Sequence, residues 1–131
     1  MEKLYQAAQS GNLNSIKNSL KRNINLDTPN AQNWTLLHFA CFGGQSEVVR
    51  FLIEKDVNVN SRTNEGVTPL HLASQIGNEF LIAILVEAGA IIDTRDVFSI
   101  IQNVYFLYSK CSITLHQYNY DKNLIFVFQF E

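Results

Sequence analysis

The chain has 131 residues, 47% of them hydrophobic and 17% charged, with a formal net charge of −2. That is enough apolar material for one folded domain and too much for a disordered tail. Ten Lys and Arg against twelve Asp and Glu argue against a protein held mainly by nucleic-acid phosphates. The two cysteines, Cys41 and Cys111, are far apart in sequence. They give neither a C-x-x-C pair nor a disulfide framework, which points to a reducing compartment. The opening Met1-Glu2-Lys3-Leu4-Tyr5-Gln6 lacks the basic-then-apolar pattern of a leader. No apolar run reaches about 18 residues. A cytoplasmic or otherwise intracellular protein is expected, working in a host cytosol if it is a bacterial effector.

Sliding the sequence over itself by 33 positions aligns Thr35 with Thr68, Leu37 with Leu70, His38 with His71, and Ala40 with Ala73. Gly44 meets Gly77, Leu52 meets Leu85, Glu54 meets Glu87, and Arg62 meets Arg95. Chance agreement in a window of this size is about two positions. One step back, Leu4, Ala7, Gly11, Ile16, Leu20 and Leu26 keep the same register more faintly. Three copies of one unit therefore run near 1–33, 34–66 and 67–96.

In chain order, the first unit carries its apolar residues at helical spacing but places polar Asn18 and Ser19 on its second helix. A polar connector from about 24 to 34 follows. The second unit predicts helices near 36–43 and 46–55, with Asp56 at the stop where glycine would be the stronger terminator. The connector from about 57 to 67 is again polar. Gly66 closes it, and Asn33 holds the equivalent place in the first connector; both residues tolerate positive φ, which predicts a tight turn. In the third unit Thr68 can cap a helix that begins at Pro69 and stops at Gly77. Glu79 to Ala88 predicts a second helix, apolar almost all round and therefore buried, ending at Gly89. One such unit cannot bury its own helix faces, and stacking about three of them does.

The 33-residue period, the Thr-x-Leu-His and Thr-Pro-Leu-His segments at 35–38 and 68–71, Gly44 and Gly77, and Glu87-Ala88-Gly89-Ala90 together resemble the ankyrin repeat. The resemblance covers residues 2 to about 96. The first unit looks like a capping repeat, with Glu2, Lys3 and Tyr5 where the motif has Thr, Pro and His. The resemblance implies an all-α helical solenoid whose connectors project as β-hairpin fingers. It also implies binding of a partner protein on the concave side, with no general enzymatic activity and no cofactor.

His38 and His71, with Cys41 one turn from His38, are the strongest candidates for chemistry. A metal pair or a hydrolase centred on them is one reading. The other is structural: each imidazole ties its own turn to Thr35 or Thr68 and to a backbone group of the adjacent unit, together with Pro69, Gly44 and Gly77. Repetition in register favours the structural reading, and no carboxylate joins at ligand spacing. Cys41 fills the slot held by Ala8 and Ser74 in the other units, which reads as a small buried filler. No nucleophile elbow, metalloprotease helix or phosphate loop is present. By resemblance, the variable concave positions are Gln9, Ser10, Ala31, Gln32, Trp34, Phe42, Gly43, Asn64, Glu65, Val67, Gln75 and Ile76. Of these, Trp34, Phe42, Val67 and Ile76 would form an apolar stripe with Trp34 and Phe42 as its anchors, while Asn64, Glu65 and Gln75 would select among partners.

A fourth unit would put Phe106 at a small inter-helix position and Lys110 at the glycine, so the array is expected to end near 96. Residues 97–131 hold nine of the chain's aromatics and neither Gly nor Pro. They are expected to be an irregular C-terminal tail, with an apolar helix over Val97–Tyr108 and a weakly alternating strand over Leu124–Phe130. A membrane-surface role or a homodimer through this aromatic end is the alternative function. No nucleic acid and no small-molecule substrate is expected.

Overall fold

The computed structural model describes residues 1–92 and the backbone of residues 113–120 and 123–130. Among the described residues six helices come in three pairs: α1 (Glu2–Ser10) with α2 (Leu13–Leu20), α3 (Leu36–Phe42) with α4 (Ser46–Glu54), and α5 (Pro69–Gln75) with α6 (Glu79–Glu87). Strands β1 (Ile113–Tyr120) and β2 (Asn123–Phe130) follow.

Local chemistry sets each helix end. Asn12 and Asn78 start α2 and α6 by accepting the amides of Ser15 at 3.2 Å and Leu81 at 3.1 Å. Thr68 starts α5, with Pro69 in the first turn. The turns that leave the second helices pass through Asn23, Asp56 and Gly89, at φ 54°, 57° and 93°. These residues are one repeat apart, so the left-handed turn is a property of the unit and only the residue that tolerates it varies.

The first helices α1, α3 and α5 lie side by side, and α4 lies against α6. Small residues let the inner row approach closely: Ala7, Ala40 and Ala73 at one repeat position, and Ala8, Cys41 and Ser74 at the next, are all buried. The space between the rows is filled by Ile16, Leu37, Val49, Leu52, Leu70, Leu81, Ile82 and Leu85, each fully buried or within 1% of it. Each large side chain buried this way contributes about 1.5–3 kcal/mol. Because every helix pair leaves one face to its neighbour, that core is continuous through the three units.

The two connectors are finger-like hairpin turns with no regular strand. Asn30 N–H bonds Trp34 O at 2.9 Å and Thr63 N–H bonds Val67 O at 3.0 Å, closing the two turns at equivalent positions. Asn33 at φ 61° and Gly66 at φ 80° occupy the left-handed corner expected of them. The fingers are stitched together where Asn64 N–H reaches Gln32 O at 3.0 Å.

Of the C-terminal segment, the strand expected over 124–130 is present as β2. It pairs antiparallel with β1, which the sequence reading did not anticipate. The helix expected over Val97–Tyr108, together with Phe106 and Lys110, lies outside the described residues.

Candidate functional site

The turn at the start of each inner helix is built around an imidazole. His38 is fully buried. Its Nδ1 accepts the Thr35 backbone N–H at 3.1 Å and lies 2.9 Å from Thr35 Oγ1. Since Nδ1 is an acceptor, the ring proton sits on Nε2, which donates to Val67 O of the next finger at 3.0 Å. His38 thus joins its own helix start to the adjacent unit. Burial holds its pKa below the usual histidine value; the carbonyls of Val67 and Ser61 oppose that shift, and the nearby His71 adds to it. In the third unit, His71 Nδ1 accepts the Thr68 N–H at 2.8 Å while Thr68 Oγ1 accepts the His71 amide at 3.4 Å. In the first unit Tyr5 replaces the histidine and donates from its hydroxyl to Thr28 O at 3.1 Å. Burial, with a smaller contribution from Glu2, raises the pKa of that phenol.

These bonds use both nitrogens of His38. The Cys41 thiol is free and buried, and burial pushes its pKa far up, away from the thiolate a nucleophile or metal ligand needs. Among the described residues no three His, Cys, Asp or Glu side chains converge on a point that could hold a metal ion. None of their helices is long and apolar enough to cross a membrane.

The face carried by the first helices and the fingers holds a cluster of aromatic rings. Trp34 is half-buried and tilts against Phe39 at 5.2 Å and His38 at 5.8 Å, and it meets Phe42 edge-on at 6.0 Å. Phe39 in turn stacks on Tyr5 at 5.0 Å, which binds the first unit to the second. Phe42 remains 49% exposed and Ile76 44% exposed. Trp34 thus supports the Phe42 ring from one side. Phe39 was absent from the sequence-based set. Its signal was available, since it shares a helix face with Phe42 and an aromatic at this spacing meets its neighbour.

The other expected contact residues divide between surface and scaffold. Glu65 and Gln75 are exposed. Asn64 is exposed too, but its side-chain amide bonds Ala31 O at 3.2 Å, tying the second finger to the first. Val67 is half-buried against the core, with its N–H on Thr63 Oγ1 at 3.1 Å and its carbonyl on His38. Gly43, expected at a variable surface position, packs directly against the backbone of Gln9. Gln45 reinforces that junction by donating from Nε2 to Gln9 O at 3.1 Å and to Gly43 O at 3.0 Å. On the outer helices, Arg50 lies over the half-exposed Phe80 ring at 4.8 Å, and Lys17 and Lys55 approach the Phe51 ring at 5.7 and 5.6 Å.

The family model "Ankyrin repeats (3 copies)" matches residues 4–96. The chain belongs to the ankyrin repeat family. Ankyrin repeats are in general non-enzymatic protein–protein interaction modules. Over 50 residues the chain is 36% identical to the Notch-regulated ankyrin repeat-containing protein A of Danio rerio and to its Homo sapiens counterpart. These alignments cover 38% of this chain and 45% and 44% of the two relatives, so the match spans less than half of their length. The human ASB11 ankyrin repeat domain superposes with a TM-score of 0.63 at 32% identity, covering 66% of this chain and 39% of that one. A chain of the complex between the Bd0816 predatory endopeptidase of Bdellovibrio bacteriovorus and immunity protein Bd3460 superposes at 0.69 with 26% identity, covering 83% and 67%.

Proposed function

We propose that this ankyrin repeat chain is a non-catalytic module, working inside the cell, that binds another protein on the concave face made by α1, α3, α5 and the two fingers. Residues 1–96 form the binding unit and 97–131 a separate C-terminal segment. The observation that carries this reading is the exposure of Phe42 and Ile76, at 49% and 44%, at the C-terminal ends of neighbouring inner helices. Large apolar side chains held in the open by a rigid scaffold are typical interface anchors. Glu65 and Gln75 are the polar contacts that select the partner. Trp34, Asn64 and Val67 hold the surface in shape. The complex that includes an endopeptidase and an immunity protein supports a protein as the ligand for this fold.

The test is affinity capture from lysate with wild type and a Phe42→Ala/Ile76→Ala variant of matched helical circular dichroism. A protein retained by wild type and lost from the variant is the expected result. Equal capture by both would overturn the assignment of the face.

A further inference from the structure

The strand pair offers an interaction independent of the repeat face. β1 and β2 pair antiparallel over eight residues each, from Ile113 opposite Phe130 to Tyr120 opposite Asn123, in a sheet of two strands with no break in register. In such a ribbon each strand bonds its partner through one row of main-chain groups, and among the described residues the other row lies along an open edge. Proteins usually guard an edge with Lys, Pro, a bulge or a short strand. β2 reads Asn-Leu-Ile-Phe-Val-Phe-Gln-Phe, with no charge, no Pro and no bulge. Low charge and high β-propensity in an unguarded segment are the marks of a strand that pairs with copies of itself. β1 is interrupted by Thr114, His116, Gln117 and Asn119 and is the weaker candidate. A two-stranded ribbon alone is also marginal in water, whereas three or more strands with an apolar face reach independent stability.

We propose that the open edge of β2 is a self-association site whose occupant is β2 of a second copy. An edge that meets itself across a two-fold axis pairs antiparallel. The product is a four-stranded sheet in the order β1-β2-β2-β1, which places both β2 strands in the interior.

The experiment is light scattering of the full chain across a dilution series from high to low micromolar, beside an Ile125→Lys/Val127→Lys variant. The expected result is a doubled mass for wild type that falls on dilution, and a single-chain mass for the variant with an unchanged helical melting curve. A single-chain mass for wild type at the highest concentration would overturn the proposal. So would a doubled mass that the two lysines leave intact. Should the variant lose its helical signal, hydrogen exchange of wild type decides the question. Amides in 123–130 lose protection on dilution if β2 is the interface, and keep it if it is not.

Discussion

Gly43→Ala separates intrinsic helix preference from the demands of the stack. Gly43 ends α3 at φ −80° and ψ −4°, an ordinary right-handed conformation that any residue adopts. Propensity alone would favour alanine by up to about 1 kcal/mol. The neighbouring unit dictates the opposite sign. A Cβ here would lie 2.8 Å from the carbonyl carbon of Gln9 and 3.1 Å from its Cα, and would press on its carbonyl oxygen. These are backbone atoms in the last turn of α1, so no side chain can rotate away and the two helices must part. Separation loosens the Tyr5–Phe39 stack and the Gln45 bond to Gln9 O. Overpacking of this kind costs about 1–3 kcal/mol, and a clash with fixed main chain belongs at the upper end, which leaves a net loss of about 2 kcal/mol after the propensity gain. For a repeat domain of this size that lowers the melting temperature by about 5 °C or more. Thermal melting followed by helical circular dichroism measures it. A variant that melts at or above wild type would refute the argument. The next unit holds Ile76 at the equivalent position, so the close approach belongs to the α1–α3 junction alone.

Three further outcomes follow from the same geometry. His38 is neutral and has a lowered pKa in the folded chain, so below about pH 6.5 the unfolded chain binds its proton first. This contribution to stability is complete above that pH and is lost as the pH falls toward the folded value. Urea midpoints across that range should fall for wild type and fall less steeply for His38→Gln, which retains an acceptor for the Thr35 amide; equal slopes would contradict this. Ser74 is buried and its Oγ has no hydrogen-bond partner, so Ser74→Ala should be neutral or more stable by about 1 kcal/mol in chemical denaturation. A clear loss of stability would show that the hydroxyl is satisfied. Gly66 sits at φ 80° with no atom within 4 Å of a Cβ, so Gly66→Ala should lose about 1 kcal/mol through backbone strain alone. Gly66→Asn should lose less, because Asn33 already holds the equivalent corner at φ 61°; equal losses for the two variants would show that strain at this corner is not the cause.

The parts of the fold that repeat were legible because the same local signals recur at a fixed spacing. The capping threonines, the left-handed corners at Asn33, Gly66 and Asp56, and the stops at Gly77 and Gly89 all depend on a few adjacent residues. Helices α3, α4 and α6 each end one residue before the expected limit, within the range over which terminal turns fray. What was not legible depends on distances between units. Gly43 reads as a surface position until the backbone of Gln9 is placed beside it. Asn64 reads as a free polar tip until Ala31 O comes within 3.2 Å. Trp34 reads as an exposed anchor until Phe39 packs under it. β1 escaped notice because Thr114, His116, Gln117 and Asn119 blur its alternation, and its pairing partner supplies the missing signal.

The loops between units are joined by acidic or amide side chains that address main chain. Asp27 Oδ1 accepts Asn58 N–H at 3.0 Å. One repeat later, Asn60 Oδ1 accepts Ile91 N–H at 2.8 Å, and its Nδ2 donates to Gly89 O at 3.1 Å. Each unit is gripped through peptide groups that every residue but proline possesses, whatever side chain it carries there. Substitutions other than proline at the receiving positions 58 and 91 leave the join intact so long as the loop keeps its path. Mutational drift can then redraw the exterior of one unit without renegotiating its attachment to the next. A lineage carrying this architecture can change what it recognises faster than it changes how it folds.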